Sequence, residues 1–271
     1  MKRTFFSLAL LLAAATLTAQ TKMTAREAAV KIADRILAST TYEFKNTKTG
    51  ETYKSVKKLP LDMDVKVACK YNNWHYTNGV TNIALMELGE KLGDKKYDKY
   101  VLKNMNFVFN EGNLDFFRKQ YDEAFKQNGW NAVRKLSWHM IFRGKRLDDN
   151  GPMGASLIEL QMKHPNDAFL GYINETAEHL NYGEPRLVDG TIARIWPHVN
   201  TIWADDAFMA ISFLARMGKM TGDEKYFNDA VNQVLNYTRY LWCPEKRIYY
   251  HCYHTDNKEH GVAHWSLSLI H

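Results

Sequence analysis

"GASLIELQMKHPNDAFLGYINETAEHL", residues 154–180, decides the fold. Apolar residues recur at helical spacing on both sides of Pro165-Asn166, so the stretch predicts two helices joined by a tight turn. "AFMAISFLARMGKMTGDEKYFNDAVNQVLNYTRYL", residues 207–241, reads the same way and breaks at Gly222-Asp223. Upstream, a helix over about 79–92 stops at Gly93, and the next one restarts after Asp94. Glycine ends a helix by adopting a left-handed conformation, and Asp or Asn caps the one that follows. Thr24 with Glu27 three residues on forms a capping box. Behind it Ala28, Ala29, Ile32, Ala33, Ile36 and Leu37 keep helical spacing.

The hairpins resemble one another. Aligning Glu87-Leu88 with Glu159-Leu160 sets Gly93-Asp94 over Pro165-Asn166, and aligning Met153 with Met209 sets Ser156 over Ser212. The element "GDKKYDKY" returns as "GDEKYFND". A repeated helix pair buries its apolar stripe only by stacking on its neighbours, which gives an open solenoid or a closed ring of inner and outer helices. The connections between pairs are long and rich in Trp, Asp, His and Gly. That favours an all-α closed toroid with a functional face.

The chain opens "MKRTFFSLALLLAAATLTAQTK". A basic start, an apolar run and the small residues Leu17-Thr18-Ala19 read as a signal peptide over residues 1–19, removed on export to the periplasm or medium. Residues 20–271 then form one catalytic domain. Beyond the leader no stretch is long and apolar enough for a membrane span. Three cysteines, Cys69, Cys243 and Cys252, make no disulfide framework and fit no standard zinc spacing. Cys243 and Cys252 flank "PEKRIYYH" and could pair across a hairpin. The net charge of +6 is scattered, part of it in "KTGETYKSVKK", which reads as a solvated loop, so it does not indicate nucleic acid. Seven tryptophans suit a sugar binder, because a flat ring covers the apolar face of a pyranose; any single one reads more readily as an ordinary core aromatic.

"RLDDNGPMGAS", residues 146–156, and "IWADDAFMAIS", residues 202–212, each carry an Asp pair at a helix start. One Asp at such a place is an ordinary N-cap. In the Met153–Met209 register, however, Asp149 and Asp205 are equivalents on successive inner helices, which open on one end of a ring. They are therefore expected to face one cavity, with Asp148 and Asp206 capping or supporting. Two inward carboxylates suit acid/base chemistry on a glycoside. The helix start lowers a carboxyl pKa, so a second carboxylate and aromatic walls must outweigh it to keep one proton on.

"NNWHYTNGV", "LDDNGPMGASLIEL" and "IWADDAFMA" resemble the unsaturated glucuronyl and rhamnogalacturonyl hydrolases of glycoside hydrolase families 88 and 105, over about Trp74 to Trp265. The resemblance implies an (α/α)6 toroid and a substrate that is an anionic oligosaccharide ending in a 4,5-unsaturated uronic acid, with no metal and no cofactor. It implies hydration of the vinyl ether: Asp205 protonates C4 and then activates water for attack at C5, and Asp149 is the partner carboxylate. Trp203 and Tyr76 are then expected to hold the uronate ring, and Arg194 and His198 to make polar contacts. Trp74 and Trp265, from the first and last matching stretches, complete the substrate-binding set. His198 also reads as a residue that stabilises its loop. Leu267 stands where members of these families have an Arg, and the length allows about eight helices of twelve, so the ring is expected to be incomplete at the C-terminus. Two other readings stay open: a sugar-binding helical repeat without catalysis, and another (α/α)6 glycosidase of inverting type. His251, His254, His260 and His264 lie in a loop without an H-E-x-x-H frame, a poor fit to a metallohydrolase.

Overall fold

The helices begin and end where the cap chemistry requires. In the computed structural model, which describes residues 23–143 and 146–262, Gly93 and Gly222 take left-handed φ values of 66° and 73° at helix C-caps. The Asn166 side chain accepts from the amides of Ala168 and Phe169, and that of Asp223 accepts from Lys225. These caps separate three hairpins: α2 (Tyr76–Leu92) with α3 (Lys96–Val108), α6 (Leu147–Lys163) with α7 (Asp167–Glu178), and α8 (Ala204–Thr221) with α9 (Glu224–Leu241). All three breaks are those expected from sequence. Between the first two hairpins lie α4 (Glu111–Val133) and a short α5 (Met140–Arg143). The helical spacing read from the sequence does not extend to α4, which is kinked at Asn128 and Gly129.

The described residues divide into an N-terminal unit, 23–38, and a larger unit, 39–262. The first contains nearly all of α1 (Ala25–Ser39), whose start carries the expected capping box. The Thr24 amide donates to Glu27 Oε2 at 2.8 Å, and the Glu27 amide to Thr24 Oγ1 at 3.2 Å.

In the larger unit α2, α6 and α8 pack side by side as the inner layer, each backed by its own outer helix. Met153, Leu157, Ile158, Phe169, Ile173, Phe213 and Leu214 are fully buried in this double layer. At their N-terminal turns the inner helices meet backbone to backbone. A Cβ on Gly79 of α2 would lie 2.4 Å from the Pro152 carbonyl carbon of α6. One on Gly151 of α6 would lie 2.2 Å from the Met209 carbonyl oxygen of α8. Only glycine permits approach this close. The three helix starts are thereby held together at one end.

Short strands dress the connections. β1 (Phe44–Asn46) pairs with β2 (Thr52–Tyr53) and β3 (Val65–Val67). The segment read as a solvated loop thus contributes β2 and a 3-10 turn, although its residues are largely exposed. β4 (Thr201–Trp203) pairs with β7 (Cys252–His254), which pairs with β8 (Glu259–His260), and β5 (Trp242–Cys243) pairs with β6 (Ile248–Tyr249). The segment after α9 is therefore a hairpin, as the cysteine argument required, yet Cys243 and Cys252 are buried free thiols. Their strands belong to different sheets, so the hairpin register sets Cys243 opposite Ile248. Among the described residues no helix is long and apolar enough to cross a membrane.

The Gly151 contact yields a direct test. Gly151→Ala should destabilise by about 3 kcal/mol, because neither backbone can yield. Gly171→Ala, on α7 with nothing within 4 Å of the added carbon, should instead stabilise by up to about 1 kcal/mol through helix propensity. Thermal unfolding of both variants reads the difference.

Candidate active site

The Asp pairs occupy matching places. Asp148 and Asp149 are the second and third residues of α6, and Asp205 and Asp206 are the second and third of α8. Neither pair caps its helix. Arg146 and Trp203 hold the N-cap positions, without a side-chain cap bond. The Met153–Met209 register equated Asp149 with Asp205. The helix starts and the surroundings equate Asp148 with Asp205, and Asp149 with Asp206. The third-position residues are buried, with 1% of the Asp149 side chain and 2% of the Asp206 side chain exposed. The second-position residues are open, Asp148 at 38% and Asp205 at 22%. This corrects two expectations: Asp149 is a buried carboxylate, and Asp148 is the open one beside Asp205.

Each buried carboxylate is gripped by an arginine through two parallel hydrogen bonds. Arg143, at the end of α5, donates from Nε and Nη2 to the two oxygens of Asp149. Arg194 donates from Nε and Nη2 to Asp206 at 2.8 and 2.7 Å. Planar, bidentate pairing of this kind fixes orientation as well as charge. The Arg194 fork also points at Asp148, 3.6 Å away, and its guanidinium lies over the Trp203 ring at 4.7 Å. A bridge between Arg194 and Thr201 ties this arginine to the strand that leads into α8.

His251 is the residue that sequence reasoning missed at this place. β7 pairs with β4 in a register that sets Trp203 opposite Cys252. His251, one residue earlier, is thereby brought over the start of α8. Its carbonyl accepts from the Ala204 amide at 2.9 Å, and its Nε2 lies 2.9 Å from Asp205 Oδ2. Its ring meets Trp203 edge to face at 5.0 Å.

The charge balance of the cluster is negative: four carboxylates against two guanidiniums. A like charge nearby disfavours ionisation of a carboxyl or phenol, and so does burial. Burial raises the Asp206 carboxyl to about 6, with the bonds and charge of Arg194 pulling it part of the way back. Partial burial also raises Asp148; Arg194 opposes this, and the charges of Asp149 and Asp205 add to it. The Tyr76 phenol at the start of α2 is raised by burial and by the charges of Asp148 and Asp205. Burial works against the Arg194 cation, but the Asp206 bonds and the surrounding carboxylates outweigh it, and the guanidinium is held charged.

The other expected residues divide. Tyr76 and Trp203 are half-buried beside the carboxylates, and Arg194 bridges them. Trp74 was expected to contact substrate, but 0% of it is exposed. Its indole N–H donates to the Asp149 carbonyl at 2.7 Å and so holds the α6 start from beneath. His198 is exposed, its ring facing His254 and its carbonyl accepting from Thr201 Oγ1 at 2.9 Å, which is the loop-stabilising role. Trp265 lies outside the described residues, as does the segment 1–19. His260 bonds the Tyr240 carbonyl and stacks on Tyr250. Among the described residues no three His, Cys, Asp or Glu side chains gather as metal ligands.

A cavity of about 520 Å³ opens against this cluster, with Asp148, Arg194 and Asp206 in its wall; neither Asp149 nor Asp205 lines it. Acidic groups that can hold a proton, next to an open hollow and an aromatic face, can perform proton transfer on a polar substrate.

Comparison with known proteins bears on the family and the fold. The unsaturated rhamnogalacturonyl hydrolase YesR of Bacillus subtilis (strain 168) is 30% identical over 111 residues, covering 39% of this chain and 32% of the relative. A solved structure described as a possible member of the GH105 family, from Salmonella enterica subsp. enterica serovar Paratyphi A str. ATCC 9150, superposes with a TM-score of 0.54 at 15% identity. That match covers 88% of this chain and 55% of the other. A family 105 glycoside hydrolase from C. acetobutylicum ATCC 824 gives 0.50 at 22% identity, covering 75% and 47%. The chain thus spans about half the length of the solved structures it matches, and its fold is the mostly helical (α/α) toroid type they share. Residues 57–267 match the family described as Glycosyl Hydrolase Family 88, and the chain belongs to that family.

Proposed function

We propose that the protein is a glycoside hydrolase that removes a terminal 4,5-unsaturated uronic acid from oligosaccharides, rhamnogalacturonan fragments first among them. The observation that carries this reading is the meeting of Asp205 and His251, at 2.9 Å, beside the open Asp148 and under the Trp203 face. YesR, by its name, acts on unsaturated rhamnogalacturonyl groups, which favours that substrate class.

The chemistry follows from the arrangement. Asp205 hands a proton to C4 of the double bond, and positive charge develops at C5 beside the ring oxygen. The surplus of carboxylates around it stabilises that charge. Asp205, now ionised and hydrogen-bonded to His251, takes a proton from the water that adds to C5. The hemiketal opens to a ketone at C5, and the sugar on C1 departs as an alcohol. Asp149, buried and bound by Arg143, fixes the start of α6 that carries Asp148, without touching sugar. Tyr76 and Trp203 bracket the uronate ring, and Arg194 is the cation nearest its carboxylate. The leader-like segment 1–19 leads us to propose that this occurs outside the cytoplasm.

Asp205→Asn should abolish turnover by about a thousandfold while leaving substrate affinity within a few-fold. Loss of the ultraviolet absorbance of the double bond, from unsaturated rhamnogalacturonan and glycosaminoglycan disaccharides, measures turnover; calorimetry measures affinity. A sugar-binding protein would show affinity with no absorbance loss in the parent chain. An inverting glycosidase would cleave while the double-bond signal persisted.

The ionisation of Asp206 gives a second expectation. Its folded-state pKa, near 6, lies above the ordinary carboxyl value, so the folded form binds the extra proton between about pH 4 and 6. The stability this adds is full below about pH 4 and lost as pH rises through 6. The melting temperature of the wild type relative to Asp206→Asn should therefore fall between pH 4 and pH 7.

A further inference from the structure

The outer helices differ in what they turn inward. α7 buries Phe169, Ile173 and Ala177, the apolar stripe expected of a helix packed on a core. On α9 the inward residues include Gln233, Asn236 and Tyr237, with Asp229 and Tyr240 partly buried in line with them. Spacings of three and four residues set all five on one face. Buried polar groups are costly unless they find partners. Here all five bond to a single loop, residues 186–194.

Arg186 donates to Asp229 through two hydrogen bonds of 2.9 and 2.7 Å. Its Nη2 also donates to the Leu180 carbonyl at 3.0 Å, in the π turn (His179–Gly183) that follows α7 at the cavity wall. Gln233 Nε2 donates to the Gly190 carbonyl and to Asp229 Oδ1, both at 2.9 Å. Both backbone groups of Ile192 are taken by α9. Its amide donates to Gln233 Oε1 at 3.0 Å, and its carbonyl accepts from the Tyr237 hydroxyl at 3.1 Å. Burial, with the Asp206 charge adding and the Arg194 charge opposing, raises the Tyr237 phenol well above its ordinary value, so it stays a donor. Two residues beyond Ile192, the Arg194 amide donates to the Thr201 carbonyl at 2.8 Å. The backbone around Arg194 is thus held from α9 on one side and from β4 on the other.

We propose that Gln233 and Tyr237 are positioning residues for the reaction: from the outer layer they fix Ile192, and through it they hold Arg194 where it grips Asp206, points at Asp148 and covers Trp203. An arginine side chain has many rotamers, and the charges of Asp206, Asp148 and Asp205 all act on this one. Fixing its backbone decides which carboxylates the guanidinium reaches. A satisfied buried polar network specifies one arrangement more sharply than apolar packing does. The use the site makes of Arg194 rests on the hydrolase reading above; the clamp on Ile192 does not.

Three variants of the full chain test this. Tyr237→Phe removes one oxygen and should raise KM for the unsaturated rhamnogalacturonan disaccharide about fivefold at nearly unchanged kcat; Gln233→Leu should raise it about tenfold. In both, carboxyl NMR should show Asp148 titrating about half a unit higher, because Arg194 holds that carboxyl down. Gln233→Glu separates position from packing. Protonated, the new carboxyl can accept from Ile192 and donate to Gly190; ionised, it meets the Asp229 carboxylate, with Arg186 as the nearby cation. Its deficit in kcat/KM relative to the parent should be small at pH 5 and grow to about tenfold at pH 8, and Gln233→Leu should show no such growth. If KM and the Asp148 titration keep their parent values in Gln233→Leu and Tyr237→Phe, whatever the loss in melting temperature, the clamp is packing alone and the proposal is overturned. A Gln233→Glu deficit that ignores pH overturns it too. If the parent protein consumes no double bond, the hydrolase reading fails separately, and the Asp148 titration decides: an upward shift in Tyr237→Phe supports the clamp, and no shift removes it.

Discussion

The rest of the site depends on two places where helix backbones touch. Gly79 lies against Pro152, and Gly151 against the Met209 carbonyl, so α2, α6 and α8 start within one small volume. Side-chain packing alone would keep helices about 8–10 Å apart. Removing the side chains at these contacts lets residues near the tips, Tyr76, Asp148 and Asp205, come close enough for their charges to act on one another. The hairpin repeat supplies the direction of the inner helices, and the glycines supply the distance between them.

Convergence creates the electrostatic condition that the chemistry needs. Four carboxylates crowd a partly buried space, and two arginines neutralise only the two that lie deepest. Asp149 and Asp206 are thereby fixed, and Asp148 and Asp205 remain reachable. The helix N-termini favour negative charge at these residues, yet burial together with like charge raises Asp148 and Asp206 above the ordinary carboxyl range. The arginine grip therefore offsets the repulsion among four like charges at the tips, while burial still holds Asp206 at about 6 and Asp148 above its ordinary range.

What was legible in the sequence followed from local chemistry. Gly93, Asn166 and Gly222-Asp223 are cap signals, so the three hairpins and their boundaries could be read directly. α4 was passed over, and its kink at Asn128-Gly129 interrupts it where the other helices keep a steady pattern. The two- and three-residue strands are too short to carry a period of two. The one-residue offset between Asp149 and Asp205 arose because Met153 and Met209 were taken as the register, and they do not stand at equal distances from their helix starts. Trp74 entered the substrate-binding set through the resemblance, as part of the first matching stretch. Its burial beneath Asp149 depends on packing against Tyr172 and Trp138, which no local pattern announces. His251 reaches Asp205 only through the pairing of β4 with β7, across more than forty residues. The Arg143–Asp149 grip spans a break between two helices, so ordinary helical spacing gives no hint of it.

The π turn at His179–Gly183 carries one residue more than a regular helical turn would hold. Deleting a single residue there would return the winding to its usual pitch and swing the exit of that helix by about 100° around the axis, a change for the loop leading to β4 to absorb. His179 would leave the wall, and Glu184 would be carried away with it. The reaction centre, seated on other helices, would remain. In this architecture a length change of one residue at the end of an outer helix is enough to redraw the part of the hollow that His179 and Glu184 line.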